Sequence, residues 1–179
     1  MVRTTIALSS ASTNQTILSG SIWVGFHVFC PISVSVNPEC ISAFNELKLG
    51  KDLKWIIYKI SDDWKEIVVE ETSKEGNWDT FRDKLVNAKS KDKRGNEGIG
   101  GRYAVFDVEY ELEGGEGSRS KITFITWCPD NASQYPRMMY SSSKEAIKRA
   151  LNGLAADIQA NDEEDIEFES IKQRVSKGR

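Results

Sequence analysis

Between Tyr135 and Leu154, YPRMMYSSSKEAIKRALNGL, the apolar positions recur at helical spacing. At 100° per residue Tyr140, Ser143, Ile147, Ala150, Leu151 and Leu154 share one side, a stripe that would face a core. The opposite side carries Met138, Ser141, Ser142, Glu145, Lys148, Arg149 and Asn152. Pro136 suits a first helical turn, and Asn152-Gly153 suits a helix stop, where glycine accepts the left-handed conformation. Lys148 and Arg149 near that end complement the negative pole of the helix dipole. Met138 is the odd residue, an adaptable apolar side chain among charges, of the kind that fills a partner's pocket.

The same reading predicts the other elements. Asn37-Pro38-Glu39 caps and opens a helix running to about Leu49, ended by Gly50, with Ile41, Phe44 and Leu47 at three-residue spacing. Leu53–Ser61 is β-branched and aromatic, a buried strand; Asp62-Asp63 turns it into a second strand from Lys65 to Thr72. Trp78–Asn87 reads as a helix with Phe81, Leu85 and Val86 inward. Lys89–Gly101 is charged and glycine-rich and reads as a solvated loop. Tyr103, Val105 and Asp107 alternate against Ala104, Phe106, Val108 and Tyr110, and Gly114–Gly117 turns this strand into Lys121–Trp127. A short strand, Ala155–Ala160, and a helix, Asp162–Val175, close the pattern. The order α-ββ-α-ββ-α-β-α predicts an α/β (α+β) domain, a central mixed β-sheet flanked by helices on both faces.

Composition narrows the function classes. A chain of 179 residues with 39% hydrophobic and 28% charged residues has enough apolar material for one folded domain. A formal charge of −3 argues against nucleic acid as a partner. Three cysteines, Cys30, Cys40 and Cys128, lack metal-ligand spacing, and His27 is the single histidine, so neither a metal centre nor a histidine-assisted nucleophile is expected. Gly98-Ile99-Gly100-Gly101 precedes a strand rather than a helix and lacks the following Gly-Lys-Ser/Thr of a phosphate loop. Asp62-Asp63 and Asp162-Glu163-Glu164-Asp165 sit at a turn and a helix start, where acids act as caps. No catalytic constellation and no cofactor site emerge, so a binding module is expected rather than an enzyme.

Residues 1–33 contain no acid and one basic residue, Arg3. Ile22–Val36 is apolar but broken by Gly25, His27 and Pro31, too short and interrupted for a membrane span. It also lacks the clean apolar run of a signal peptide and the arginines of a transit peptide. Residues 1–33 are therefore expected to be a poorly ordered extension or an artefact of the gene model, and residues 34–179 the domain.

Trp127-Cys128-Pro129-Asp130 followed by RMMYSSSKEAIKRALNG, with a tryptophan thirteen residues before a tyrosine, resembles the signature of the actin-depolymerising factor/cofilin family. The resemblance runs from about Val34 to the C-terminus and implies the same sheet architecture, a single ADF-homology domain. It implies that Arg137, Met138, Ser142, Lys144, Glu145, Lys148 and Arg149 dock monomeric actin. It also implies a second, filament-binding surface at Arg119, Lys121, Arg174 and Lys177. Tyr135 stands where many members carry another basic residue, Gln173 where an acid is usual, and Ile32 where many carry a phosphorylated serine. The implied activity is binding, severing and depolymerisation of filaments without a cofactor, in the cytoplasmic actin cytoskeleton, with the nuclear matrix as a second location. Two alternatives stay open: a relative that regulates the branched-filament nucleating complex, and a phosphoinositide-binding membrane-surface module using residues 137, 144, 148 and 149.

Overall fold

Along Trp55–Ile60 and Tyr103–Tyr110 successive side chains point to opposite sides, and both sides are apolar, so the sheet they build must be covered twice. The computed structural model of the protein describes residues 34–50, 52–111 and 117–177, and it shows this arrangement. The expectations for residues 1–33 and for the glycine turn at 114–116 lie outside the described residues.

The elements run β1 (Ser35–Val36), α1 (Pro38–Gly50), β2 (Trp55–Ile60), β3 (Glu66–Ser73), α2 (Trp78–Val86), β4 (Lys89–Lys91), β5 (Glu97–Ile99), β6 (Arg102–Glu111), β7 (Ser118–Trp127), α3 (Gln134–Ala150), β8 (Ala156–Ala160) and α4 (Phe168–Lys177). Six strands form one sheet in the order β1-β3-β2-β6-β7-β8. The central pairs are antiparallel, whereas β1–β3 and β7–β8 are parallel, so the sheet is mixed as predicted.

Ile56, Tyr58, Tyr103, Val105 and Phe124 face α1 and α3, which contribute Cys40, Phe44, Leu47, Met139, Tyr140, Ile147 and Leu151. Trp55, Ile57, Ala104, Phe106, Val108 and Ile125 face α2 and α4, which contribute Trp78, Phe81, Leu85, Ile171 and Val175. Trp78 is the hub of this second layer: it packs on Phe81, Phe106 and Phe168, and its indole N–H donates to the Ile166 carbonyl at 3.0 Å.

Three expectations need correction. The charged segment from Lys89 is not a loop: it folds as the β4–β5 hairpin, a separate two-stranded sheet. Two of the segment's glycines are explained by close approach, since a Cβ at Gly100 would lie 2.0 Å from Ser90 Oγ and one at Gly101 2.8 Å from the Tyr140 ring. The last helix begins at Phe168, not Asp162, because the carboxylates of Asp162 and Asp165 cap backbone amides within a preceding turn (Asp165 N–H to Asp162 Oδ1, 2.9 Å; Asn161 N–H to Asp165 Oδ2, 3.0 Å). The two-residue β1, too short to give a periodic signal, adds a strand at one edge.

Candidate functional site: the exposed face of α3

Helix α3 is fixed to the sheet through Tyr140. This residue is fully buried, its hydroxyl accepts from the Ile60 N–H at 3.1 Å, and its carbonyl accepts from the Tyr103 hydroxyl. Trp64, in the β2–β3 turn, holds the helix start by packing edge-on against Tyr135 (ring centroids 5.2 Å apart) and Tyr140 (6.3 Å). It does so with φ = 61°, a backbone conformation that costs a bulky residue energy, so this contact is imposed by the surrounding packing. At the far end Gly153 takes φ = 109°, and Lys48 of α1 donates to the adjacent Asn152 carbonyl at 2.9 Å, tying the residue just past the helix cap to α1.

A helix held this firmly presents its outer stripe rigidly. The stripe consists of Arg137, Met138, Ser141, Ser142, Glu145, Ala146 and Arg149, all exposed. Met138 is 45% exposed while Met139, its neighbour, is 1% exposed, so of this pair only Met138 projects from the surface. Tyr140, Ser143, Ile147 and Leu151 are buried as the periodicity predicts, Ala150 is half-buried, and Met139 belongs to the core although no sequence signal placed it there.

The cations do not all stand free. Lys144 and Lys148 both reach across to Asp157 on β8, at 3.0 and 2.8 Å, and Lys148 also pairs with Glu145 at 3.2 Å. Burial opposes ionisation of Asp157, but hydrogen bonds from Lys148 and Lys144 outweigh it and hold its carboxyl below the usual range. The hydrogen bonds with Asp157 and Glu145 correspondingly raise the Lys148 ammonium above its ordinary value. Arg137 pairs with Asp130 at 3.0 Å, whereas Arg149 is exposed. The Ser142 hydroxyl is turned back to the Met139 carbonyl at 3.1 Å. The seven expected residues therefore share one helix, but Lys144 and Lys148 form its flank toward β8 rather than its crest.

Of the second expected group, Lys121 lies where β7 meets the end of α4. Lys121 donates to the Val175 carbonyl at 2.8 Å and lies over the Tyr110 ring at 5.5 Å, so it caps the negative end of that helix. Arg174 folds back onto Asp165 and donates to the Gln159 carbonyl at 3.2 Å, which makes it a brace for the β8–α4 turn. Arg119 and Lys177 are exposed. Both described cysteines are buried; burial, with Glu39 nearby, pushes the Cys40 thiol up to about 11, and burial also raises Cys128, so neither is a reactive thiolate. Among the described residues no cluster of His, Cys, Asp and Glu could hold a metal, and no helix is long and apolar enough to cross a membrane.

Sequence reading missed the hairpin tip beside this face. Lys93 and Arg94 are exposed there and share a cleft with Met138; the signal that could have found them is the turn-forming Asp92 and Arg94-Gly95 inside the charged segment.

Comparison with known proteins gives a consistent result. Residues 33–176 match a sequence model described as cofilin/tropomyosin-type actin-binding protein. Cofilin of Gibberella zeae is 55% identical over 144 residues, covering 80% of this chain and 94% of the relative. Cofilin of Saccharomyces cerevisiae is 44% identical over 145 residues, covering 81% and 94%. Among solved structures, Streptomyces griseoflavus cofilin superposes with a TM-score of 0.70 at 36% identity, covering 82% of this chain and 100% of that one. Plasmodium berghei actin depolymerization factor 2 gives 0.67 at 28%, covering 80% and 97%.

Proposed function

The chain belongs to the cofilin/tropomyosin-type actin-binding family, and from that premise we propose that it binds actin through the outer stripe of α3 and disassembles filaments with the help of a second surface. The observation that carries this reading is Met138, an exposed apolar side chain set among charges on a rigidly held helix. Buried at an interface, such a side chain anchors, while Arg137, Glu145 and Arg149 around it steer the partner and fix its register. Lys144 and Lys148, tied to Asp157, shape the flank and stiffen the connection between α3 and β8. The second surface is Arg119 and Lys177, with Lys121 and Arg174 holding the ends of β7 and α4 in place for them. Contact with two neighbouring subunits lets binding energy favour an altered filament twist, a population shift that needs no chemistry and no cofactor.

The protein acts in the cytoplasmic actin cytoskeleton. Phosphoinositide headgroups would compete with actin for Arg137 and Arg149, the exposed cations of the stripe. The actin-binding unit is residues 34–179. A chain lacking residues 1–33 melts cooperatively and binds actin; loss of the cooperative transition would make the extension part of the fold.

Two double variants separate the surfaces. Met138→Ala with Arg149→Ala weakens binding to both monomer and filament. Arg119→Ala with Lys177→Ala leaves monomer binding intact while filament co-sedimentation and severing, counted by microscopy, fall together. Equal losses of monomer and filament binding in both variants would leave a single surface and no basis for severing.

A further inference from the structure

We propose that the tip of the β4–β5 hairpin is a second wall of the actin-binding surface, on which Lys93 and Arg94 engage an acidic segment of the same partner that Met138 anchors. This rests on the α3 reading above. The first observation is that the hairpin is built rather than loose. The Asp92 carboxylate accepts from the Arg94 N–H at 2.7 Å and the Asn96 N–H at 2.9 Å, the Asp92 N–H donates to the Asn96 carbonyl at 2.8 Å, and Gly95 supplies φ = 86°. Its base is tied down as well. Arg102 donates to Ser90 Oγ at 3.1 Å and to the Lys89 carbonyl at 2.8 Å, and Lys91 pairs with Asp62 at 2.7 Å. Two cations on such a turn are preorganised, which lowers the ordering cost of using them.

The second observation is position. A cleft of about 480 Å³ separates the tip from the start of α3, with Lys93 and Arg94 on one side and Gln134, Tyr135 and Met138 on the other. The third is sign. Lys93 and Arg94 are exposed and form no ion pair among the described residues, whereas Arg137 is held by Asp130. Asp92, the acid at this cleft, is occupied by the turn, and the hydrogen bond from the Asn96 side chain, followed by those from the backbone, holds its carboxyl below the usual range. The neighbouring cleft, lined by Lys89 with Glu97, Asp130, Asp162 and Glu163, is richer in acids. The Met138 cleft thus has a thioether and a tyrosine as its apolar wall and, as its rim, two exposed cations of which Arg94 also acts on the nearby Asp92, which fits an apolar residue flanked by carboxylates.

The test uses the full chain with Lys93→Glu and Arg94→Glu together, the milder Lys93→Ala and Arg94→Ala pair, and Met138→Ala in parallel. Each is titrated against labelled actin monomer at low and high salt, with a thermal melt. Charge reversal should slow association about tenfold at low salt and less at high salt, with a smaller change in dissociation and an unchanged melt. The alanine pair should show the same effect, reduced. If the reversal variant binds like the parent at both salts while Met138→Ala binds weakly, the hairpin takes no part and the proposal falls, with the α3 reading intact. If Met138→Ala also binds like the parent, the α3 reading falls and takes this one with it. Loss of binding to phosphoinositide-containing vesicles with actin binding unchanged would assign the tip to a membrane and equally overturn the proposal.

Discussion

Arg102 is 4% exposed, and its guanidinium places all five N–H donors: two on the Glu70 carboxylate, one on Ser90 Oγ, and one each on the carbonyls of Gly101 and Lys89. Replacing it by Met keeps the length of the side chain but strands a carboxylate, a hydroxyl and two carbonyls. Breaking a buried ion pair from one side costs about 3–5 kcal/mol, because the remaining charge is left uncompensated. For a chain of this size that lowers the melting temperature by roughly 6–20 °C. Glu70→Gln should cost a comparable amount, since it leaves the buried Arg102 guanidinium without its counter-charge, although the amide oxygen can still accept one of its hydrogen bonds. The cycle built from both variants should give a coupling of about 1–3 kcal/mol. Denaturant titration measures the global loss. Hydrogen exchange supplies the local one, because the amides of Asp92 and Gly100, bonded to Asn96 and Ala88 carbonyls, should lose protection when the hairpin loses its tie to β6. A cost below about 1 kcal/mol with these amides still protected would refute the assignment of Arg102 as the hairpin's anchor.

Gly101→Ala would set a methyl group 2.8 Å from the Tyr140 ring and 3.0 Å from the Trp127 carbonyl oxygen, so it should destabilise by about 1–3 kcal/mol in denaturant titration. Gly98→Ala, with open space around its Cβ, should cost less than about 1 kcal/mol, and equal losses would mean that close approach is not the reason for Gly101. Asp157 has a depressed pKa, so its stabilising effect is present above the unfolded-state value near 4 and is lost as pH falls through the folded-state value. Asp157→Asn should therefore flatten the acid limb of the stability profile, by under ~1 kcal/mol for so accessible a group, and an unaltered limb would remove the two lysines as its partners.

The helix that carries the candidate site was legible because its apolar period is regular, and Met138 stood out as apolar where charges surround it. What its neighbours do was not legible. Lys144 and Lys148 look like solvated charges until β8 brings Asp157 to them, and Lys121 and Arg174 look alike until one caps α4 and the other braces the turn before it. Those roles are tertiary and leave no local pattern. The β4–β5 hairpin was hidden for a related reason: its strands are three residues long, too short to show a period, and the residue that holds them, Arg102, is distant from the tip it supports. Asp162 and Asp165 misled in the opposite way, since acids that cap a turn and acids that open a helix read the same in sequence.

Oxidative footprinting of the methionines tests most directly whether the outer stripe of α3 is the actin-docking surface. In the free chain Met138 should oxidise readily and Met139 hardly at all, given exposures of 45% and 1%, so the pair carries its own internal control. With saturating monomeric actin the account predicts that Met138 oxidation falls about tenfold while Met139 stays protected, as expected for an anchor buried at an interface. Met138 oxidising at the free-chain rate in the fully formed complex would place actin on another surface and contradict the account.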